Sequence, residues 1–437
     1  MGWSVTLGYP STPVTPQIAS MPLPRMMKVR QRFPADEVDD VAGAVRQEIA
    51  RVGLPERIRP GARVAITVGS RGISSIPILA KTVVDEVRRC GGQPFIVPAM
   101  GSHGGGTAEG NVSILRDIGV TEETVGAPIL ATMEVVELAR LPRGLPIYMD
   151  KYAHGADAII LLNRIKPKCA WAHIGSGLVK ISTIGLGKQR GCNTFHSWTV
   201  GTNQLYHTLI EAYGIIREKA PIVLGLAVID NAYARPAKIV ALRPEEIPEL
   251  EPGLLREAAR LVARLPFDPL DVLILDCMGK NISPGGPDPL VVGRPHEDPA
   301  GNPVPNQPQI DKICVLDLTP QSHGNAVGMG YVDVATMRFA SKVNLYDTYM
   351  NSISAAGTSG AHLPMLLPND REAIQVAMLS AGATDPTKVR LIRAHSTLHL
   401  EELSVSEALA SRMAGRPDLE PAGELAPLAF DEDGNLV

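Results

Sequence analysis

Along most of the chain, short apolar runs alternate with longer stretches whose apolar residues recur at helical spacing. Residues 64–68, 95–97, 158–162 and 222–228 are such runs, each ending in Gly, Ser or Asn, as expected of strands buried on both faces of a parallel sheet. Residues 36–52 carry a helical period with acidic residues at the start and Gly53 at the end. Residues 75–90 form a second bounded helix, with Ser75 as its cap, Pro77 in its first turn and Gly91-Gly92 closing it. A strand, loop, helix, strand unit follows from these spans.

A helix over 254–265 and a Pro-containing hinge over 266–269 mark the start of a second unit. Its expected strands are 272–276, 313–318 and 389–393, with a helix over 370–381 where Asn369 and Glu372 have capping-box spacing. Residues 279–308 are crowded with Gly, Pro and Asn and read as a long functional loop. A last helix over 406–413 precedes a polar tail. The fold class is therefore α/β: two α/β domains with mostly parallel sheets, residues 1–265 and 270–398, an active-site cleft between them, and 399–437 as terminal helix and tail.

Length and composition narrow the function. A chain of 437 residues exceeds one ordinary core, and 45% hydrophobic with 20% charged residues suits a folded multidomain enzyme. A net charge of -4 and only 4% aromatics exclude an electrostatic or base-stacking nucleic-acid surface. Cys90, Cys169, Cys192, Cys277 and Cys314 form no Cys-x-x-Cys pair, which points to free thiols in a reducing compartment. The N-terminal 25 residues lack a signal-type apolar core and no span suits a membrane, so a cytoplasmic location is expected.

In open α/β sheets ligands bind beyond the carboxyl ends of the strands, so the loops after the apolar runs carry the candidate chemistry. Gly69-Ser70-Arg71-Gly72 offers amides, a hydroxyl and a guanidinium to a carboxylate or phosphate, or else Arg71 packs on its own helix cap. Gly101 to Thr107 places His103 among glycines, either as an acid or base near neutrality or as an exposed loop residue. The densest stretch runs from Asn163 to His196 and holds Lys166, Lys168, His173, Ser176-Gly177, Lys180 and Lys188. Its Gly-Ser-Gly could cradle a phosphate with backbone amides, whereas any one of its lysines alone reads as solvated. In the second unit Lys280 could bind a substrate carboxylate, and His323 beside Gly324-Asn325 reads as a turn residue.

These segments resemble the nickel-dependent lactate racemase family, particularly its uncharacterised homologues, from about Arg63 to Ser406. The resemblance is carried in order by Gly101 to Asn111, Gly175 to Lys188, Gly279 to Ser283 with Asp288-Pro289, and His323-Gly324-Asn325. It implies a nickel pincer nucleotide, a pyridinium mononucleotide with two sulfur-bearing arms, tethered covalently to Lys180. His196, sixteen positions on, would complete the nickel coordination, and imidazole in a four-ligand plane suits Ni(II). Lys188 is a weaker tether candidate by spacing, and Ser176 and Gly177 belong to the same cofactor loop.

By the same resemblance the reaction is racemisation or epimerisation of a 2-hydroxy acid through hydride removal and return, with a base taking the hydroxyl proton. His103 matches the first catalytic histidine. The second departs from the family pattern, because Pro167 is followed by Lys168 and a histidine comes only at His173; Lys168 fits by position and His173 by a loop shift. Arg71 and Lys280 are the implied carboxylate anchors. Partners are then a small 2-hydroxy acid and the cofactor-assembly enzymes, with neither nucleic acid nor membrane. Two other readings are a nicotinamide oxidoreductase using His103, for which no Gly-x-Gly-x-x-Gly opens a helix after the first strand, and a non-catalytic binder of the cofactor or a small acid.

Overall fold

A computed structural model describes residue 8 and residues 16–70, 75–167, 175–202, 204–298, 302–304, 306–354 and 357–437. Arg71, Lys168, Cys169 and His173 lie outside the described residues. The architecture is α/β and mostly parallel, built on two large sheets.

The first sheet orders its strands Gln93–Pro98, Arg63–Val68, Ala158–Arg164, Ile222–Asp230 and Pro236–Leu242. The first four are parallel and the last returns antiparallel. Its apolar runs serve two cores at once. Val64, Ile66, Val68, Ile160 and Leu162 pack on one face, and Ala65, Ile159 and Leu161 on the other. The Ile76–Arg89 helix covers the first of these faces through Leu79, Val83 and Val87. Continuous hydrophobicity, rather than alternation, follows from that double burial.

Among the described residues the second sheet has nine strands. Met365–Leu367, Val334–Thr336, Ile310–Val315, Leu270–Leu275 and Leu391–Ser396 run parallel. His399–Ser406, Arg25–Gln31, Leu419–Pro421 and Ala426–Pro427 extend it antiparallel. The chain therefore begins its described strands in the sheet that its last residues complete, with Met26 opposite Ser406. The Asp370–Ser380 helix covers this sheet, and the Asn369 side chain caps it by accepting from the Glu372 amide.

Three sequence expectations change. The expected helix over 406–413 shrinks to Glu407–Ala410, because the Ser406 hydroxyl is committed to Leu391 N and Val389 O at the end of a strand. The expected helix over 254–265 starts earlier, as Ile247–Leu261, and contains Pro252. The polar tail supplies two short strands instead of lying outside the sheet.

Among the described residues, Cys90, Cys192, Cys277 and Cys314 are free thiols. No described helix is long and apolar enough to cross a membrane.

Candidate active site

His103 and Ser70 stand at the carboxyl ends of neighbouring parallel strands. His103 Nδ1 lies 2.6 Å from Ser70 Oγ, and the His103 carbonyl accepts from Asn111 Nδ2 at 2.8 Å. The ring is half-buried. The glycines around it answer a packing need: a Cβ on Gly104 would lie 2.5 Å from the Gly110 carbonyl carbon, and one on Gly110 would lie 1.9 Å from Gly104 O. Only bare backbone lets the loop fold against the Ala108–Asp117 helix that follows.

Lys180 ends the Leu178–Lys180 helical turn, which continues as a π-helical segment over Ile181–Gly185 and, after Leu186-Gly187, as the Lys188–Thr199 helix bearing His196. Both side chains are half-buried. The His103 loop packs on this helical stretch. Gly101 donates its N–H to Gly185 O at 3.3 Å, its Cα side faces Ile184 and Cys192, and Ser102 Oγ lies 3.7 Å from Cys192 Sγ. Cys192 is one turn before His196. The end of the first strand also closes in, since a Cβ on Gly69 would meet Asn163 Oδ1 at 3.2 Å and Ile181 at 4.0 Å.

A buried carboxylate starts the Lys180 segment. Glu251 Oε2 accepts from Leu178 N at 2.6 Å and Val179 N at 3.1 Å, and Asn163 Nδ2 donates to Gly177 O at 2.8 Å. Burial raises the Glu251 carboxyl to about 7, while the two amide bonds pull the other way. Gly177 is glycine because a Cβ there would sit 2.3 Å from Glu251 Oε1. Gly175 is glycine because a Cβ would sit 1.7 Å from Lys166 O, across a two-bond backbone bridge between Lys166 and Ser176. Sequence reasoning missed Glu251. It lies among ordinary helical glutamates, 71 positions from Lys180, and carries no motif.

Lys188 points inward. Its side chain has no exposed surface, its amine lies 3.0 Å from Asp150 Oδ2 and donates to Pro98 O, and its backbone is left-handed at φ 56°. Burial lowers its pKa, opposed by Asp150. Asp150 in turn accepts from Tyr152 N and Ala153 N at 2.8 and 2.9 Å.

From the second sheet, Lys280 arrives buried. Its amine donates to Pro284 O at 2.6 Å and Asn351 Oδ1 at 2.7 Å, and its backbone N–H donates to Ser322 Oγ. Asn351 lies on the Leu345–Ser354 helix, which contacts the Lys188–Thr199 helix of His196. Asn325 Nδ2 also reaches Asn351 at 3.1 Å, whereas His323 is exposed and caps a short turn in the left-handed region. A second tie joins the two sheets at Lys166 and Asp288, 2.8 Å apart.

Lys180 supplies an amine and His103 and His196 supply imidazoles, the residue types that the cofactor suggested by the sequence would need, and Asn111 Oδ1 and Asn193 Oδ1 are buried with no hydrogen-bond partner among the described residues. Among the described residues no group of three or more His, Cys, Asp and Glu is placed to hold a metal ion.

Residues 15–206 match the lactate racemase N-terminal domain family. The lactate racemase apoprotein from Thermoanaerobacterium thermosaccharolyticum superposes with a TM-score of 0.51 at 11% identity, covering 86% of this chain and 99% of that one. A protein from Thermotoga maritima gives a TM-score of 0.47 at 14% identity over 64% of this chain and 71% of its own. No curated protein matches the sequence significantly. The matched residues contain the loops of His103, Lys180 and His196, so this part of the chain is a lactate racemase N-terminal domain.

Proposed function

We propose that this protein is a racemase or epimerase of a 2-hydroxy acid that works with a lysine-tethered nickel pincer nucleotide. The observation that carries the reading is the seating of the His103 loop on the helical stretch running from Lys180 to His196, inside the domain that matches the family. Lys180 would hold the cofactor covalently and His196 would complete the nickel coordination, with Ser176 and Gly177 in the adjoining loop. When bound, the nickel pincer nucleotide supplies a hydride acceptor that spares the substrate carbon a carbanion. Lys188 lacks accessible surface, which favours Lys180 over it as the tether and leaves Lys188 to brace the cofactor helix from beneath.

His103 Nε2 is assigned the proton exchange with the substrate hydroxyl. The Ser70 hydroxyl can donate to Nδ1 or accept from it, so it supports the imidazole both as base when the hydroxyl loses its proton and as acid when it regains it. Inversion needs a proton acceptor in both substrate orientations, and Lys168 or His173 is assigned to the second. Lys280, its amine oriented by Asn351 and Pro284 O, anchors the substrate carboxylate together with Arg71.

The test is a panel of chiral 2-hydroxy acids incubated in heavy water with protein produced alongside the cofactor-assembly enzymes. The reading expects loss of chirality without deuterium at C2. Deuterium entering C2, or no acid losing its chirality, overturns it.

A further inference from the structure

Two carboxylates and two cations meet where the loops of the sheets approach each other. Arg164 ends the Ala158–Arg164 strand and Lys166 follows it, Asp230 ends the neighbouring strand, and Asp288 comes from the loop of Lys280 in the other sheet. All four line a cleft of roughly 520 Å³ that includes open solvent. Their bonding is unequal. Asp288 is fully engaged: Oδ2 accepts from Lys166 Nζ at 2.8 Å, Oδ1 caps the Pro289–Val292 helix through Leu290 N at 3.0 Å, and its N–H donates to Thr397 Oγ1 at 2.9 Å.

Asp230 is the opposite case. Its side chain is 6% exposed, neither oxygen has a hydrogen-bond partner among the described residues, and its nearest cation, Arg164, stands 3.7 Å away, beyond hydrogen-bond distance. Arg164 Nε is also unpartnered among the described residues. A buried carboxylate left this way in a charged cleft calls for a reason. Lys166 is close enough for its charge to act on Asp230, and its position in the chain matters: its backbone is bridged to Ser176, so it stands at the root of the segment carrying Lys168 and His173.

We infer that Lys166 is a positioning residue that holds the two sides of the active site at working distance by gripping Asp288, and that Asp230 is the partner it takes when the sides part. With Asp288 held, the root of the Lys168 and His173 segment and the loop of Lys280 are fixed to each other. With Asp288 released, the ammonium stays in its own sheet on a carboxylate that Arg164 engages only loosely, at 3.7 Å. The pair thereby supplies two discrete arrangements for a cleft that must admit and release substrate. The catalytic part of this inference rests on the racemase reading; its structural part does not.

The test compares the full-length protein with Lys166→Met, Lys166→Arg, Asp288→Asn and Asp230→Asn. Asparagine keeps the cap at 288 while removing its charge. Hydrogen exchange is read at the amides of Leu290 to Gly293, with the Leu270–Leu275 strand as the reference for global stability. Relative to that reference, Lys166→Met and Asp288→Asn should speed exchange on the order of tenfold. Lys166→Arg should retain the protection, and Asp230→Asn, which removes the competing partner, should not reduce it. In turnover, Lys166→Met should lower kcat more than it raises KM, with Lys166→Arg restoring kcat. Unchanged exchange in Lys166→Met, or equal acceleration by Asp230→Asn and Asp288→Asn, overturns the inference. If wild-type protein racemises no acid, the functional reading fails while the exchange data still decide the latch.

Discussion

Lys188 and Asp150 illustrate how much one buried pair can fix. Both side chains have no exposed surface, and the carboxylate also caps the Lys151–His154 turn. Lys188→Met removes the cation while Asp150 stays buried, and breaking such a pair from one side costs about 3 kcal/mol or more. Chemical denaturation should show a loss of that size; a change below about 1 kcal/mol would mean the pair contributes little. Glu251 and Asp230 act through their protons. Folding lifts their carboxyls from 4.5 to about 7 and from 3.8 to about 6, in both cases chiefly by burial. Between the lower and upper values the folded protein binds more protons than the unfolded chain, so stability is highest at the acid end and falls as pH rises toward about 7. Glu251→Gln keeps an oxygen for the Leu178 and Val179 amides and should flatten that fall, by about 3 kcal/mol across the window. An unchanged slope of unfolding free energy against pH would show that Glu251 titrates normally.

At the scale of elements, glycine is the device that brings loops to the helices of Lys180 and His196. Gly175 is the sharpest case, because an added Cβ would meet backbone rather than a movable side-chain end. Gly175→Ala should break the Lys166 to Ser176 bridge and increase tryptic cleavage after Lys168, with the two sheets otherwise intact; unchanged cleavage would contradict the contact. The sequence suggested a phosphate cradle for this Gly-Ser-Gly, and the structure adds a packing reason for its glycines. Strands buried on both faces, such as Arg63–Val68 and Ala158–Arg164, were readable because each carries an unbroken apolar stretch, residues 64–66 and 158–162. Arg25–Gln31 was not, since only Met26, Val29 and Gln31 are buried and its partner begins more than 370 residues later. The Val135–Arg140 and Pro146–Asp150 hairpin was missed for a related reason: its first strand is nowhere fully buried, so no apolar run announces it.

For the molecule as a whole, the candidate site draws on both sheets, and its parts differ in how visible they were. His103, Lys180, His196 and Lys280 stand in glycine-rich motifs after strands or on the helix that follows, where sequence order alone suggested a family. Their supports are scattered. Glu251, Asn351, Asp150 and Asp230 are brought in by topology, and each is an ordinary residue in its own segment. Sequence could therefore nominate the groups that do chemistry more readily than those that orient them. The proposed chemistry depends on Lys180 as the point of attachment, and peptide mapping by mass spectrometry decides it. Protein made together with the cofactor-assembly enzymes, digested and mapped, should carry the added mass of the nucleotide on the peptide of Lys180, and the adduct should vanish in Lys180→Arg. An adduct on Lys188 or any other lysine, or its persistence in Lys180→Arg, would contradict the account.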